Sequence, residues 1–317
     1  EMSASLVGSE MCIRDRFMCD KASFAVASIK DDTHSFIAYY DDTMLEAAIK
    51  YKTIVDEFDD AIKAGEFKMY LQPQISAKTR RLTGAEALVR RIKPDGTIIS
   101  PIDFIPVYEK SGLISRLDRY IWEQAAAKLG EWKKAGINMS ISVNISPKDF
   151  YYIDIFNTFA GLIKKYDIEP SNLKIEITET TIMSDVPNLM GELEELRKAG
   201  FTLEMDDFGS GYSSLNTLKD INVDVLKVDM GFIKETKNVK KSRIILASVI
   251  KMAKELNLLI ITEGVETEEQ VDNLTKLGCD VFQGYYFSKA IDVNEFEKRY
   301  LYLSLIHISE PTRLALI

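Results

Sequence analysis

The sequence predicts an α/β chain dominated by a (β/α)8 barrel, and three observations support that fold class. Four segments share one form: AIKAGEF at 61–67, KKAGINM at 133–139, RKAGFTL at 197–203 and TKLGCDV at 275–281. Each places a glycine where a helix must stop and then enters a strand-like run. Eight strand candidates follow this rhythm: Phe67–Ile75, Gly84–Arg91, Met139–Ile145, Leu173–Glu179, Phe201–Phe208, Val223–Asp229, Leu258–Glu263 and Val281–Phe287. Helical periodicity fills most of the gaps, at Ser115–Ala135, Val186–Ala199, Lys240–Leu256 and Thr267–Leu277. Strands alternating with helices in this number describe a barrel. A doubly wound open sheet is the alternative, but no glycine-rich phosphate fingerprint follows any strand.

In chain order, the two ends stand apart. Leu6–Arg16 reads LVGSEMCIRDR and Leu303–Arg313 reads LSLIHISEPTR. With suitable synonymous codons, one DNA string encodes the second and its reverse complement encodes the first. Residues 1–16 and 303–317 are therefore expected to be adapter-derived and are set aside from the fold. Residues 17–42 offer a short helix, a turn at Asp31–Thr33 and the strand-like FIAYY, too little to bury a core. Residues 43–65 are expected to form a linker helix, part of one amphipathic run Asp42–Gly65 with Met44, Leu45, Ala48, Tyr51, Ile54, Phe58 and Ile62 at helical spacing. The barrel then occupies 66–302.

Composition excludes several classes of function. A net charge of -9 over 317 residues argues against a protein that coats a nucleic-acid polymer. No apolar run reaches the length of a membrane span. The three cysteines, Cys12, Cys19 and Cys279, show neither metal-ligand spacing nor a disulfide framework, which suits a cytoplasmic location. Only His34 and His307 are present, so a histidine-based triad or zinc site has little to draw on. Any metal should be hard and oxygen-ligated, which points to Mg²⁺ or Mn²⁺.

The densest chemistry lies in FTLEMDDFGSGYSSL at 201–215, where an apolar strand ends in Asp206 and Asp207. Adjacent acids at a buried strand end are costly without a cation, although turn chemistry alone explains an Asp before Gly. In a barrel the catalytic groups gather at the carboxyl ends of the strands. Those ends carry Glu86, Asn144, Glu176, Asp206 with Asp207, Lys227 with Asp229, Glu263 and Gln283. Singly, each has a structural explanation as a cap, a solvated edge or a surface charge. Together, acids plus one Asn carbonyl suit a pair of divalent cations of the kind that cleave phosphodiesters.

These residues carry a family resemblance. EALVR (86–90), SVNIS (142–146), EITE (176–179), DDFGSGYSSL (206–215), KVD (227–229), EGVE (263–266) and QGYYFS (283–288) occur in the order found in EAL domains. From about Glu66 to Ala290 the chain resembles this family of bacterial cyclic-di-GMP phosphodiesterases. The resemblance implies a modified (β/α)8 TIM-like barrel with one antiparallel strand. It implies two metal ions, Mg²⁺ or Mn²⁺, one held by Glu86, Asn144, Glu176 and Asp206 and the other by Asp206, Asp207 and Glu263. Lys227 matches the lysine that orients the attacking water. Arg90 matches a phosphate contact, and Gln72, Asp229 and Gln283 match positions near the ligand. Glu179 and Glu266 match supporting groups, with Glu179 anchoring the loop Asp207–Ser214. Residues 17–42 resemble the end of a GGDEF domain, whose missing part would lie upstream together with any sensor. Dimerisation through the barrel is also implied. Arg91 and Ala290 depart from the usual Trp and Pro at positions expected to be peripheral, and Ser210 replaces Thr. The expected activity is hydrolysis of cyclic-di-GMP to linear pGpG. A catalytically silent receptor for the same ligand is the alternative, and a carboxylate-pair glycosidase on the same fold is a weaker one.

Overall fold

The computed structural model describes residues 39–184, 186–209, 218–219, 221–229 and 239–302, together with 18–19, 21–23, 25–26 and 37. The terminal segments 1–16 and 303–317 and most of 17–38 lie outside the described residues, as does the loop 210–217. The chain divides into two compact units, Glu1–Ala64 and Gly65–Ile317.

In the first unit, the expected single helix Asp42–Gly65 is two helices, Asp42–Asp56 and Phe58–Lys63, interrupted at Glu57. Asp41 starts the first by accepting the Met44 N–H at 3.2 Å, a side-chain N-cap. None of the residues of Asp42–Asp56 is buried. The second helix ends at Ala64, and Gly65 follows with φ +65°, the left-handed C′ position that its lack of a Cβ permits.

In the second unit, ten strands form one sheet: β1 (Phe67–Ser76), β2 (Leu82–Ile92), β3 (Ile98–Ile99), β4 (Ile141–Ile145), β5 (Leu173–Thr178), β6 (Leu203–Asp206), β7 (Val225–Asp229), β8 (Leu259–Glu263), β9 (Val281–Phe282) and β10 (Ile291–Asp292). Eight of them close into a barrel in the order β1-β9-β8-β7-β6-β5-β4-β2, with β1 pairing back onto β2. β1 runs antiparallel to both of its barrel neighbours, and every other barrel pairing is parallel. β3 and β10 are short antiparallel additions to β2 and β1. The β1–β2 connection is a tight turn, which antiparallel strands allow and parallel ones do not.

Period-2 alternation divides each strand between two environments. Ile141, Val143, Ile175, Ile177, Leu203, Met205, Leu226 and Val228 face outward and join the helix residues Trp122, Phe159, Leu193, Leu196 and Leu274 in the main hydrophobic cluster. The helices Ile114–Lys134, Ile155–Tyr166, Leu189–Lys198, Val239–Glu255 and Glu268–Leu277 surround the barrel. The last of these has a complete capping box between Thr267 and Gln270 and ends at Gly278 in the left-handed region. The intervening positions face inward, and two residues below the mouth they form a mixed layer. Val225, Ile261 and Val281 form a small apolar cluster on one side. On the other, Glu204 is fully buried between Lys174 Nζ at 2.9 Å and Ser142 Oγ at 2.8 Å.

One boundary moved substantially. The candidate strand Val281–Phe287 keeps its ladder only through Phe282. Gly284 then approaches the backbone of Val265 so closely that a Cβ on it would stand 2.2 Å from the Val265 carbonyl oxygen. The chain leaves the sheet there and turns across the barrel mouth. Arg91, which stands where the family usually has Trp, lines neither of the two cavities at the barrel mouth. Its side chain is buried, pairs with Glu66 at 2.9 Å and lies 5.8 Å from the Phe67 ring, so it helps to seal the first strand pair.

Candidate active site

The mouth of the barrel receives one inward-facing side chain from each barrel strand or its end. They are Gln72 from β1, Glu86 from β2, Asn144 from β4, Glu176 from β5, Asp206 from β6, Lys227 from β7, Glu263 from β8 and Gln283 just past β9. The register explains the convergence. Gln72 pairs with Glu86, Asn144 with Glu176, and Thr178 with Asp206, so successive strands place polar positions at adjoining heights.

Lys227 is the centre of this group. Its ammonium is fully buried, 2.8 Å from Glu263 Oε1, 3.0 Å from Glu176 Oε1, 3.4 Å from Asp206 Oδ1 and 3.5 Å from Glu86 Oε2. Leu226 and Val228 face the outer core, which leaves the lysine no direction but inward. Around it lies a hydrogen-bonded rim. Gln283 Nε2 donates to Glu86 Oε2 and, at 3.3 Å, to Gln72 Oε1. Gln74 Nε2 in turn donates to Gln283 Oε1 at 3.3 Å. Asn144 Nδ2 donates to Glu86 Oε1 at 3.5 Å, and Trp122 Nε1 holds the Asn144 carbonyl at 2.9 Å.

Four carboxylates against one ammonium leave a surplus of negative charge, and the titration behaviour follows from it. Burial, reinforced by Glu86, holds the Glu176 carboxyl well above the usual range against the pull of Lys227. Burial pushes Glu263 up to about 8, with Lys227 opposing and Asp206 and Glu86 adding to the rise. Burial alone would lower Lys227, but Glu176, Glu263, Glu86 and Asp206 together keep it well above an ordinary lysine. Asp207, although its side chain reaches solvent, is raised by partial desolvation at the mouth and by Asp206.

The remaining expected site residues are spread over two cavities, the end of β6 and a short helix after β5. Asp229, Glu266, Gln72, Glu86, Glu263 and Gln283 line one cavity of about 420 Å³, together with Leu88 and Tyr285. Arg90 instead lines an adjoining cavity of about 250 Å³ with Asn144 and Asp118. Its guanidinium is half-buried, donates to the Val89 carbonyl at 2.8 Å and is shifted down by burial. Asp207 occupies the left-handed region at φ +56° with an exposed side chain, and its N–H donates to Asp206 Oδ1 at 2.8 Å. Glu179 is buried as the first residue of a short helix rather than the last of β5. The loop it was expected to anchor is largely outside the described residues.

The donors fit hard divalent cations. They are oxygen only, and Glu176 and Glu263 are buried acids whose nearest cation is the one shared Lys227 ammonium, at 3.0 and 2.8 Å. In this conformation the oxygens turn toward Lys227. Among the described residues no group of three or more Asp, Glu, His or Cys side chains is arranged to hold a metal ion. Sequence reasoning missed Gln74, Trp122 and Glu204. Gln74 had a signal, since it shares the inward face of β1 with Gln72. Trp122 and Glu204 had none, because their contacts cross between elements.

A closed barrel with an acid-rich, lysine-centred mouth concentrates its charge at the strand ends, where barrels of many chemistries carry their sites. The chain belongs to the EAL domain family, whose profile matches residues 55–290. It is 34% identical over 278 residues to the signaling protein YkoW of Bacillus subtilis, covering 88% of this chain and 35% of that protein. It is 36% identical over 258 residues to the probable cyclic di-GMP phosphodiesterase PdeG of Escherichia coli, covering 79% and 48%. The PaMucR phosphodiesterase in complex with c-di-GMP superposes with a TM-score of 0.72 at 32% identity, covering 77% of this chain and 99% of that one. The chain thus spans between a third and a half of the length of these two curated relatives. Among the described residues no helix is long and apolar enough to cross a membrane.

Proposed function

We propose that this chain hydrolyses cyclic-di-GMP to linear pGpG with two Mg²⁺ or Mn²⁺ ions. One ion is assigned to Glu86, Asn144, Glu176 and Asp206, and the second to Asp206, Asp207 and Glu263. The observation that carries the reading is the Lys227 ammonium within 3.5 Å of four carboxylates that outnumber it. When bound, such a metal pair lowers the pKa of water and neutralises charge on the attacking and leaving oxygens of an in-line displacement. Lys227 has the donor capacity to orient a water and to offset charge developing on phosphorus. Gln72 and Gln283, fixed by their mutual hydrogen bond, offer neutral polar groups at the rim of the cavity. Arg90 supplies a cationic fork for a phosphate, and Asp229 and Glu266 line the cavity wall. Glu179 is assigned a supporting role toward the loop after Asp207. The proposal also reads residues 17–42 as the end of a GGDEF-like domain, 43–65 as a linker, and the barrel as a dimerisation surface.

The test is incubation of the purified protein with cyclic-di-GMP and Mg²⁺ or Mn²⁺. Release of pGpG that stops on chelation is expected, and intact ligand under both metals would reject the enzyme. The competing reading is a silent receptor for the same ligand. Saturable ligand binding without pGpG would establish it.

A further inference from the structure

Beneath the rim lies a buried amide that the proposed chemistry leaves unused. Gln74 stands two residues past Gln72 on β1 and is 1% exposed. Thr83 Oγ1 donates to its backbone carbonyl at 3.0 Å, and the β1–β2 register slips immediately after it. Such an irregularity re-aims a strand side chain. Room for the amide comes from Gly84, its partner across the ladder, where a Cβ would stand 2.9 Å from Gln74 Oε1.

Groups that only accept fix the direction of the hydrogen bonds above Gln74. The Ser288 carbonyl is one, so Gln72 Nε2 faces it at 3.3 Å and Gln72 Oε1 is left for Gln283. The Glu86 carboxylate is the other. Gln283 Nε2 therefore spends both N–H groups, one on Gln72 Oε1 at 3.3 Å and one on Glu86 Oε2. That leaves Gln283 Oε1 in need of a donor, and Gln74 Nε2 supplies it at 3.3 Å. The reversed Gln283 amide would set an oxygen against the Glu86 carboxylate.

Of the other groups that touch Glu86, Lys227 is shared among four carboxylates and Asn144 Nδ2 stands off at 3.5 Å. Gln283 is thus the donor that fixes the Glu86 carboxylate, and its own orientation depends on Gln74. Gln283 is itself buried, so an oxygen deprived of that donor would be an orphan, and a buried orphan costs more than the bond it lost. Gln283 would escape the cost by turning, and Glu86 would be released with it. We propose that Gln74 is a positioning residue, whose N–H locks Gln283 in the orientation that holds the Glu86 carboxylate ready for a divalent cation. This deepens the proposed function and rests on it for the cation.

The experiment compares Gln74→Met, Gln283→Met and the double variant with the unmodified chain. Mn²⁺ affinity is measured by calorimetry, and thermal unfolding is followed in chelator. Loss of a hydrogen-bond partner of a metal ligand costs about 10- to 100-fold in metal affinity, so Gln283→Met should fall in that range and Gln74→Met at its lower end. The double variant should bind Mn²⁺ no more weakly than Gln283→Met, because Gln74 acts only through Gln283. Melting temperature should behave differently. It should drop in Gln74→Met and recover in the double variant, where the orphaned oxygen is gone. The Mn²⁺ concentration that half-saturates pGpG release should rise with the loss of affinity. An unchanged Mn²⁺ affinity in Gln74→Met, losses that add in the double variant, or an affinity that recovers along with the melting temperature would each overturn the positioning role. If Gln74→Met alone fails to fold, the double variant against Gln283→Met still decides. Metal binding reads the role even if the chain proves to be a silent receptor. Failure of the unmodified chain to bind Mn²⁺ would instead overturn the proposed function and this inference with it.

Discussion

Replacing Lys227 with Met removes the ammonium that four mouth carboxylates share while keeping a side chain of similar length. The four contacts span 2.8–3.5 Å. At an effective dielectric of about 20, each contact to a carboxylate that is ionised is worth about 5 kcal/mol of Coulomb attraction before the cost of burying the charges is counted. Desolvation cancels much of this, and deleting one partner of a buried ion pair costs about 3–5 kcal/mol net. For a domain of this size that corresponds to a fall in melting temperature of about 6–20 °C. The loss should grow with pH. Glu263 is pushed up from its ordinary 4.5 to about 8, so between those values the folded protein holds a proton that the unfolded chain has released. Stability therefore falls as pH rises through that window. Without Lys227, which pulls Glu263 and Glu176 downward, both carboxyls should rise further and the fall should steepen. Thermal and urea unfolding followed by circular dichroism, in chelator at pH 6 and pH 8, is the assay. Added Mg²⁺ or Mn²⁺ should restore more stability to the variant than to the unmodified chain, because the cation replaces the missing positive charge. A metal-free loss below about 1 kcal/mol at pH 8 would refute the buried-charge argument.

Three further outcomes are expected. Asp206→Asn, which removes the charge assigned to both ions at nearly constant shape, should abolish pGpG release and leave the circular dichroism spectrum intact; appreciable turnover would remove the two-metal assignment. Ca²⁺ should permit cyclic-di-GMP binding but suppress cleavage, since its oxygen ligands lie at about 2.3–2.6 Å against about 2.0–2.1 Å for Mg²⁺. Equal product release under both ions would contradict this. Glu204→Gln can keep the Ser142 hydrogen bond but strips Lys174 of its buried counter-charge, for a loss of about 1–3 kcal/mol by urea unfolding; an unchanged midpoint would show that the pair is idle.

Much of this architecture was legible in the sequence because its signals are local. A glycine after a helix, as at Gly65, Gly136, Gly200 and Gly278, adopts positive φ and ends the element wherever the chain goes next. Period-2 alternation in LKIEIT and VLKVD assigns Glu176 and Lys227 to one face without reference to any other strand. Those two rules place the polar residues at one end of the barrel, and the order of the EAL motifs identifies the family.

What the tertiary structure decided depends on contacts between residues far apart in sequence. Closure through β1 and β9 brings Gln72 against Gln283, 211 positions away, and makes the rim a network rather than separate amides. The stagger of the closed sheet puts Lys227 among Glu86, Glu176, Asp206 and Glu263, so the lysine is a buried counter-ion as well as a site residue. Packing buried Arg91 against Glu66, and the close approach of Gly284 to the Val265 backbone, open only to a residue without a Cβ, accompanies the early end of β9 and sets Tyr285 beside the mouth. Alternation fixes which face a side chain occupies. How far it reaches, and which charges it meets there, is set by strand tilt, register and the shape of the space left over, and these exist only once the barrel has closed.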